Sequence, residues 1–495
     1  MARLSGMDAA FLYLETPETP MHVAGLTLYE LPEGFEGSFY EHFRSYFEPR
    51  IAHIPIFRKK LAQTPFGLHH PGWVDDSEFD IGNHLTQEVL PAPGTMAEVE
   101  ALVARLHEKV LDRSRPLWHF VVIEGFANPR MAALYSKMHH AAVDGGAGMV
   151  VTRALYDLTP TPSDLGPPPD RAPEFETTPD FLGSIADLIV GGVRQQNAML
   201  RAIPHVMGAI ADVVVKQIPR DARIADVVPR VELANLPQFL APKSIFNVSI
   251  SGRRSYAARS FSLGMTKRVA KENGATLNDV VLAACGGALR RYLAERKALP
   301  ARSLVAAVPV SLRAAGNTDL TNQVTMMATT IGTNIGDACE RLHAVRVASS
   351  ATKGFLSKIK DAIPQDYAFL GAPVIINSMA RLFGRLKLAN VAPPAVNVLI
   401  SNVPGPPVAL YCAGAKVTAL YPVSIPAHGG ALNVTIQSYL DHLDLAVTAD
   451  AEVVPDAGHL VDLIVNEIGV LAAADTPEKP IVESAASTPA KRRAR

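Results

Sequence analysis

Residues 391–440 carry a single formally charged side chain, Lys416. A stretch this apolar lies either in a membrane or in a protein core. Its two halves, 391–415 and 417–440, each exceed the ~20 residues that a spanning helix needs. Neither can be a helix. Pro393, Pro394, Pro404, Pro406 and Pro407 interrupt the first, and Pro422, Pro426, Gly429 and Gly430 the second. Each proline removes a helical hydrogen bond and clashes with the preceding turn. Both runs therefore read as buried strands and turns, and no membrane-spanning helix is expected. The low charged fraction, 19% against ~25% in an ordinary soluble domain, still allows a surface that rests on lipid.

The remaining composition narrows the class. A chain of 495 residues that is 48% hydrophobic can bury a large core. Its 47 basic and 48 acidic residues give a net charge of −1, which excludes the basic surplus needed to neutralise nucleic-acid phosphates. Cys285, Cys339 and Cys412 are scattered, with no CxxC pair. This argues against a zinc ribbon and for a reducing compartment. The first seven residues lack the layout of a signal peptide.

Two mixed α/β blocks stand out. In the first, residues 1–155, a strand is expected over 22–31, ended by Pro32. Thr95 and Glu98 form a capping box before Val99, Leu102, Val103, Leu106 and Val110 at helical spacing. Strands follow over 117–124 and 131–138. Residues 156–235 form a linker and crossover. Its first part, 160–179, is rich in Pro, Asp and Thr; 181–218 has a helical pattern broken at Pro204. That helical part is either a crossover packed between domains or a lipid-facing amphipathic surface. The second block, 236–474, has a helix capped by Thr276, strands over 304–311 and 396–403, and a hairpin alternating from Leu432 to Leu440 and from Leu443 to Val447 about a turn at Asp441–His442. The tail 475–495 is polar, ends KRRAR and is expected to be disordered.

The chemistry concentrates in KMHHAAVDGGAG, residues 137–148, directly after a predicted strand. Imidazole titrates near neutral pH, so His140 or His139 is a natural general base. Asp144 can orient a ring or pair with an arginine. Gly145 and Gly146 allow backbone angles and a close substrate approach that side chains would forbid. Three readings remain: a metal site, structural histidines, or acyl transfer with His140 as base. Adjacent strand residues point to opposite faces, which disfavours a shared metal. The pair His69–His70 is an internal control, since no aspartate follows at the matching offset.

HHAAVDG resembles the active-site signature of the CoA-dependent acyltransferase superfamily. LDRSRPLWHFVVIEG, LSGMDAAFLYLE, TLNDVVLAA, VPVSLR and NVLISNVPGP resemble motifs of bacterial wax ester synthase/diacylglycerol acyltransferases, over about residues 4–474. The resemblance implies an α/β (α+β) fold of two chloramphenicol-acetyltransferase-like domains with mixed sheets and an active-site tunnel at their interface. It implies transfer of a long-chain acyl group from acyl-CoA to the hydroxyl of diacylglycerol or a fatty alcohol, with no cofactor and no metal. His140 would be the base, and Asp144 a structural residue paired with Arg313. Gly145, Gly146, Asn278, Ser401, Asn402, Pro116 and Trp118 are candidate substrate contacts. Pro116 and Trp118 serve core packing or line the acyl tunnel. Asn278 and Asp279 cap a helix, or Asn278 donates to the thioester. The expected location is cytoplasmic, held peripherally at the inner membrane or lipid droplets. The alternatives are another hydroxyl acceptor or a catalytically inactive lipid-binding protein.

Overall fold

The computed structural model describes residues 2–4, 6–62, 70–143, 145–168, 241–311, 324–359 and 373–474. The expected crossover helix over 181–218, most of the linker, the KRRAR tail, Asp144, His69 and Arg313 lie outside the described residues.

In chain order the helices are α1 (Gly6–Leu14), α2 (Phe39–Phe47), α3 (Met96–Glu108), α4 (Gly145–Leu155), α5 (Leu263–Glu272), α6 (Leu277–Glu295), α7 (Ala338–Ile359), α8 (Pro373–Arg385) and α9 (Ala457–Ala474). The main strands are β1 (His22–Glu30), β2 (Leu85–Val89), β3 (Trp118–Glu124), β4 (Met131–His139), β5 (Arg254–Ser262), β6 (Val305–Ser311), β7 (Val324–Thr330), β8 (Val398–Val403), β9 (Tyr411–Cys412), β10 (Ala415–Val423), β11 (Leu432–Tyr439) and β12 (His442–Asp450). They form two mixed six-stranded sheets, in the orders β9-β10-β1-β4-β3-β2 and β7-β6-β8-β11-β12-β5.

The expected elements form where their signals lay. The capping box at Thr95 is present, with Glu98 accepting from the Thr95 backbone. The same device starts α6, where Thr276 and Asp279 bond each other reciprocally. The hairpin pairs β11 with β12 from Leu432↔Ala449 to Tyr439↔His442, so the loop is Leu440–Asp441, one residue earlier than the sequence placed it. Leu440 takes a positive φ of 51° there.

One feature departs from the division into blocks. The run 391–440 does fold into strands, but they do not stay in one sheet. β8 lies in the second sheet, β10 crosses to pair antiparallel with β1 of the first, and β11 returns to the second. The unit expected over 236–474 thus lends two strands, β9 and β10, to the unit expected over 1–155. Local periodicity sets strandness; partner choice depends on packing across hundreds of residues.

Two joints hold the sheets together. At one, β10 lies against β12, where Leu420 N–H donates to the buried Asp444 carboxylate at 2.6 Å. At the other, α3 covers β5, the edge of the second sheet. Glu108 accepts from Arg254 N–H at 2.9 Å and Glu100 from Ala258 N–H at 3.0 Å. Carboxylates thus satisfy an edge that would otherwise offer free donors. The first sheet buries one face against α2 through Phe43, Phe47, Trp118 and Phe120. Its other face packs on α3 and meets β5 through Tyr256 and Ala258. The second sheet packs against α6 and α9. Helix α9 has the length and hydropathy of a membrane span, but Leu460, Val461, Ile464, Ile468 and Leu471 belong to this core.

Arg341 is the polar centre of that core. Only 2% exposed, it donates to the carbonyls of Ala283, Ile335 and Gly336 and to Glu467 Oε2 at 2.6 Å. This ties α7 to α6 and α9. Removing one partner of such a pair strands a buried charge, which costs about 3–5 kcal/mol. Glu467→Ala is therefore expected to lower unfolding free energy by about that amount in denaturant titration. The double change Arg341→Met, Glu467→Leu should cost clearly less, because no charge is left alone.

Candidate active site

Strand β4 delivers the histidine motif. Its last residue, His139, lies in register with His22 of β1, and both rings are fully buried. The chain then turns sharply. Ala141 N–H donates back to His139 Nδ1 at 3.0 Å and closes a 3₁₀ turn over His140–Ala142. His140 is therefore the first residue of a turn and not a strand residue. The expectation that the two rings face opposite sides does not carry across this bend.

Helix α1 reaches both of them. Phe11 stacks on His140, with ring centroids 3.8 Å apart and an interplanar angle of 11°. Four residues on, Glu15 places Oε2 at 3.2 Å from His139 Nε2. Because His139 Nδ1 accepts the Ala141 N–H, its proton sits on Nε2 and faces Glu15. The N–H is not aimed squarely at the oxygen, so the contact is mainly electrostatic. Arg113 grips the other carboxylate oxygen, donating from Nη2 at 2.8 Å and Nε at 3.1 Å. Met21 N–H adds a bond of 3.1 Å to Oε2. Burial alone would raise the Glu15 pKa; the polar contact with His139, the Arg113 guanidinium and the Met21 N–H outweigh it and hold the carboxyl below its ordinary range.

His140 is fixed through its backbone, whose N–H donates to Met21 O at 2.9 Å. Burial lowers its pKa from the ordinary imidazole value, its own backbone carbonyl opposes this in part, and His139 lowers it further. The ring is thus neutral at pH 7 and has a lone pair to accept a proton. Its Nδ1 is buried and makes no hydrogen bond among the described residues.

Behind the pair, a polar seam runs between the two sheets. His22 Nε2 bonds His107 O at 2.8 Å, and His107 Nε2 bonds Ser424 O at 3.0 Å. Ser424 Oγ meets Thr435 Oγ1 at 2.8 Å. Ser401 of β8 is the register partner of Thr435. Lys137, 2% exposed, donates to the carbonyls of Leu106 and Lys109 at 2.9 and 2.8 Å. Burial and the nearby Lys109 push its pKa down to about 7.

The remaining sequence candidates fall in different places. Trp118 is core: it stacks on Phe57 at 4.4 Å and His84 at 4.7 Å, and its Nε1 donates to Phe57 O at 2.9 Å. With Pro116 it also borders a cavity of about 370 Å³ lined by Lys109, Arg115, His119 and Lys137. Gly145 and Gly146 begin α4. Asp279 caps α6, with Asn278 beside it in the first turn. Ser401 and Asn402, adjacent on β8, alternate faces, so only Ser401 shares the seam with Thr435. Cys285 is fully buried in the second core, where burial pushes its thiol up to about 12. His70 accepts or donates a bond of 2.8 Å with Tyr13. Among the described residues no cluster of His, Cys, Asp or Glu has metal-ligand geometry.

Sequence reasoning did not single out Phe11, Glu15, Arg113, His22 or His107. Phe11 and Glu15 sit four apart in LSGMDAAFLYLE, the spacing of one helix face. No local signal linked that face to a motif more than 120 residues away.

Burial, followed by the charges of Lys137 and Arg254, holds His107 down to about 3. The unfolded chain takes up this proton near the ordinary value of about 6.5; the folded one refuses it until about pH 3. Unfolding therefore binds a proton throughout that window. Stability should fall as pH drops below about 6.5, by up to ~1.4 kcal/mol per pH unit from this residue. Denaturant titrations of wild type and His107→Gln at pH 7, 6 and 5 should show a shallower loss in the variant.

Comparison with known proteins gives a consistent picture. Residues 4–281 match the wax ester synthase/diacylglycerol acyltransferase catalytic domain, and residues 320–472 match the WS/DGAT C-terminal domain. A protein of Mycobacterium tuberculosis assigned as a diacylglycerol O-acyltransferase is 36% identical over 453 residues, 91% of this chain and 95% of its own. The O-acyltransferase WSD of Acinetobacter baylyi is 34% identical over 487 residues, 95% and 98% of the two chains. The structure of a wax ester synthase/diacylglycerol acyltransferase from Marinobacter aquaeolei superposes with a TM-score of 0.67 at 27% identity, covering 96% of this chain and all of that one. A starter condensation domain of rhizomide synthetase shares the fold at a TM-score of 0.52 and 16% identity, covering 95% of each chain.

Proposed function

The chain belongs to the wax ester synthase/diacylglycerol acyltransferase family, and from that premise we propose that it makes triacylglycerol. It is an acyl-CoA-dependent O-acyltransferase. It moves a long-chain fatty acyl group from acyl-CoA to the free hydroxyl of diacylglycerol, and to fatty alcohols to give wax esters. The observation that carries the reading at the level of the site is a buried His140 with a depressed pKa, beside a His139 that is held by the turn and faces the Glu15–Arg113 pair.

In the proposed step His140 takes the proton from the acceptor hydroxyl. The freed oxygen attacks the thioester carbonyl, the C–S bond breaks, and the proton passes from His140 to the CoA thiolate. No covalent acyl-enzyme forms. His139 holds the turn: its Nδ1 fixes Ala141 and its Nε2 faces Glu15. Thr276 and Asp279 already satisfy the start of α6, which supports Asn278 as a donor to the thioester oxygen or CoA. Ser401, on the seam, is proposed as a contact for the acceptor. Asp144 is proposed to shape the loop and Arg313 to pair with it. The protein is proposed to work from the cytoplasmic side, bound peripherally to the inner membrane or to lipid droplets, because diacylglycerol and long-chain alcohols partition into lipid.

The direct test is purified protein with labelled palmitoyl-CoA and diacylglycerol competing with hexadecanol. Label in triacylglycerol, in wax ester or in both is the expected result. Label entering neither, with folded protein, would leave the inactive lipid-binding alternative.

His140→Ala should lower activity at least about a hundredfold, since a general base contributes ~10²–10⁴. His70→Ala should change it little. In the pH profile of kcat/KM, activity is lost as pH falls through the His140 pKa. That pKa is depressed, so the acid limb should lie below about pH 6.5, the value of an unperturbed imidazole. Asp144→Asn should retain more activity than Asp144→Ala, because it keeps size and hydrogen bonding.

A further inference from the structure

Helix α8 and the turn after it form an exposed ridge with no acidic residue. Leu382 is 52% exposed, Leu386 59% and Val391 79%, with Phe383 and Leu388 also open to solvent. Arg381, Arg385 and Lys387 are interleaved with them. No Asp or Glu occurs anywhere from Tyr367 to Leu440. Isolated exposed leucines are ordinary, but a contiguous apolar patch set among cations marks an interaction surface.

The inner face of the ridge shows that this exposure is built in. Asn377 Nδ2 donates to Tyr13 O at 3.1 Å. Seven residues on, and on the same helical face, Gly384 approaches His428 so closely that a Cβ would lie 2.6 Å from its Nε2. Leu382 and Leu386 lie on the face opposite Asn377 and Gly384. The helix stays regular through them, with Leu386 N–H bonded to Leu382 O at 2.9 Å, and Lys387 then ends it at a φ of 50°. The partner of Asn377 is α1, the helix whose Phe11 stacks on His140 and which ends beside Glu15.

We propose that the ridge 381–391 is the lipid-docking surface of the protein, seating Leu382, Leu386 and Val391 among the acyl chains of an anionic phospholipid surface with Arg381, Arg385 and Lys387 at its headgroups. This rests on the peripheral-membrane reading above and names the element that performs it. Charge complementarity selects the partner. Apolar side chains flanked by arginine and lysine, without a carboxylate, fit a negatively charged interface. The inner face of α8 meets α1 through Asn377, so the docked surface lies one helix away from the helix that packs on the candidate base.

The experiment is sedimentation with phosphatidylcholine vesicles, with and without phosphatidylglycerol, using the full chain. Two variants are compared with wild type: Leu382→Ser, Leu386→Ser, Val391→Ser, and Arg381→Gln, Arg385→Gln, Lys387→Gln. All three proteins are also assayed with a short-chain acyl-CoA and a water-soluble alcohol, which reports an intact site without lipid. The expected result is a loss of vesicle binding of about tenfold or more in the serine variant on both vesicle types. The glutamine variant should lose binding only to anionic vesicles and only at low salt. Activity on the soluble pair should stay within twofold. Wild type that binds while both variants bind equally well would overturn the ridge and leave the peripheral reading standing. Wild type that ignores vesicles would overturn both. A serine variant that changes the sedimentation coefficient of the free protein without affecting vesicle binding would also overturn it, in favour of a contact between copies of the chain.

Discussion

Strand β10, with the short β9 on its outer edge, hydrogen-bonds along β1 of the first sheet, while β8 before this pair and β11 after it belong to the second. That exchange is the constraint on which the rest of the molecule depends. It brings Ser424, the residue after β10, against His107 and Thr435, so the polar seam behind the histidine motif exists only because the strand crosses. It also places Leu420 where its N–H meets Asp444. Burial raises the Asp444 pKa, while Leu420 N–H, Ser260 and His442 oppose the rise. A carboxyl kept this dry is tolerated because each neighbour donates to it.

The candidate site is correspondingly a product of several distant segments. β4 and the turn after it supply the two histidines, α1 the aromatic lid, the residue after α1 the carboxylate, the loop before β3 the arginine, and the residue after β10 the far end of the seam. The geometry separates the roles of two adjacent histidines. His139 has both nitrogens engaged, one by the turn and one by Glu15, so its tautomer is fixed. His140 has a stacking partner and, among the described residues, no ionic one, and burial favours its neutral ring. A single bend in the chain, one residue after the strand, creates this asymmetry. In energetic terms, the charges of the region lie on the buried Glu15 and Lys137 and on the exposed Arg113, each matched to donors, a carboxylate or carbonyls.

Legibility in the sequence varied with the range of the interaction. The capping box at Thr95, the helix cap at Thr276, the β11–β12 hairpin and the strand ahead of HHAAVDG were all readable, because each depends on residues within a few positions of one another. The turn was placed one residue late, since strict alternation locates a loop only to within its own period. Trp118 was open to two readings, and the structure puts its ring in an aromatic core that also edges a cavity. Phe11 and Glu15 were quoted within a family motif, but nothing local tied them to a motif far downstream.

The sequence by itself determined the family, the mixed α/β class, the identity of the histidine motif and the absence of a helix in the uncharged run. The family and the meaning of the histidine motif follow from the resemblance of HHAAVDG and its companion motifs; the class and the missing helix follow from period and from residue types that tolerate few backbone conformations. Only the tertiary structure decided which strand joins which sheet, which carboxylate faces His139, which ring covers His140, and which apolar side chains of α8 remain outside. Those outcomes depend on long-range packing and on how buried charges find partners, and neither is encoded in spacing along the chain. An exposed Leu382 and a buried Leu460 look alike in sequence; the environment that distinguishes them exists only after folding.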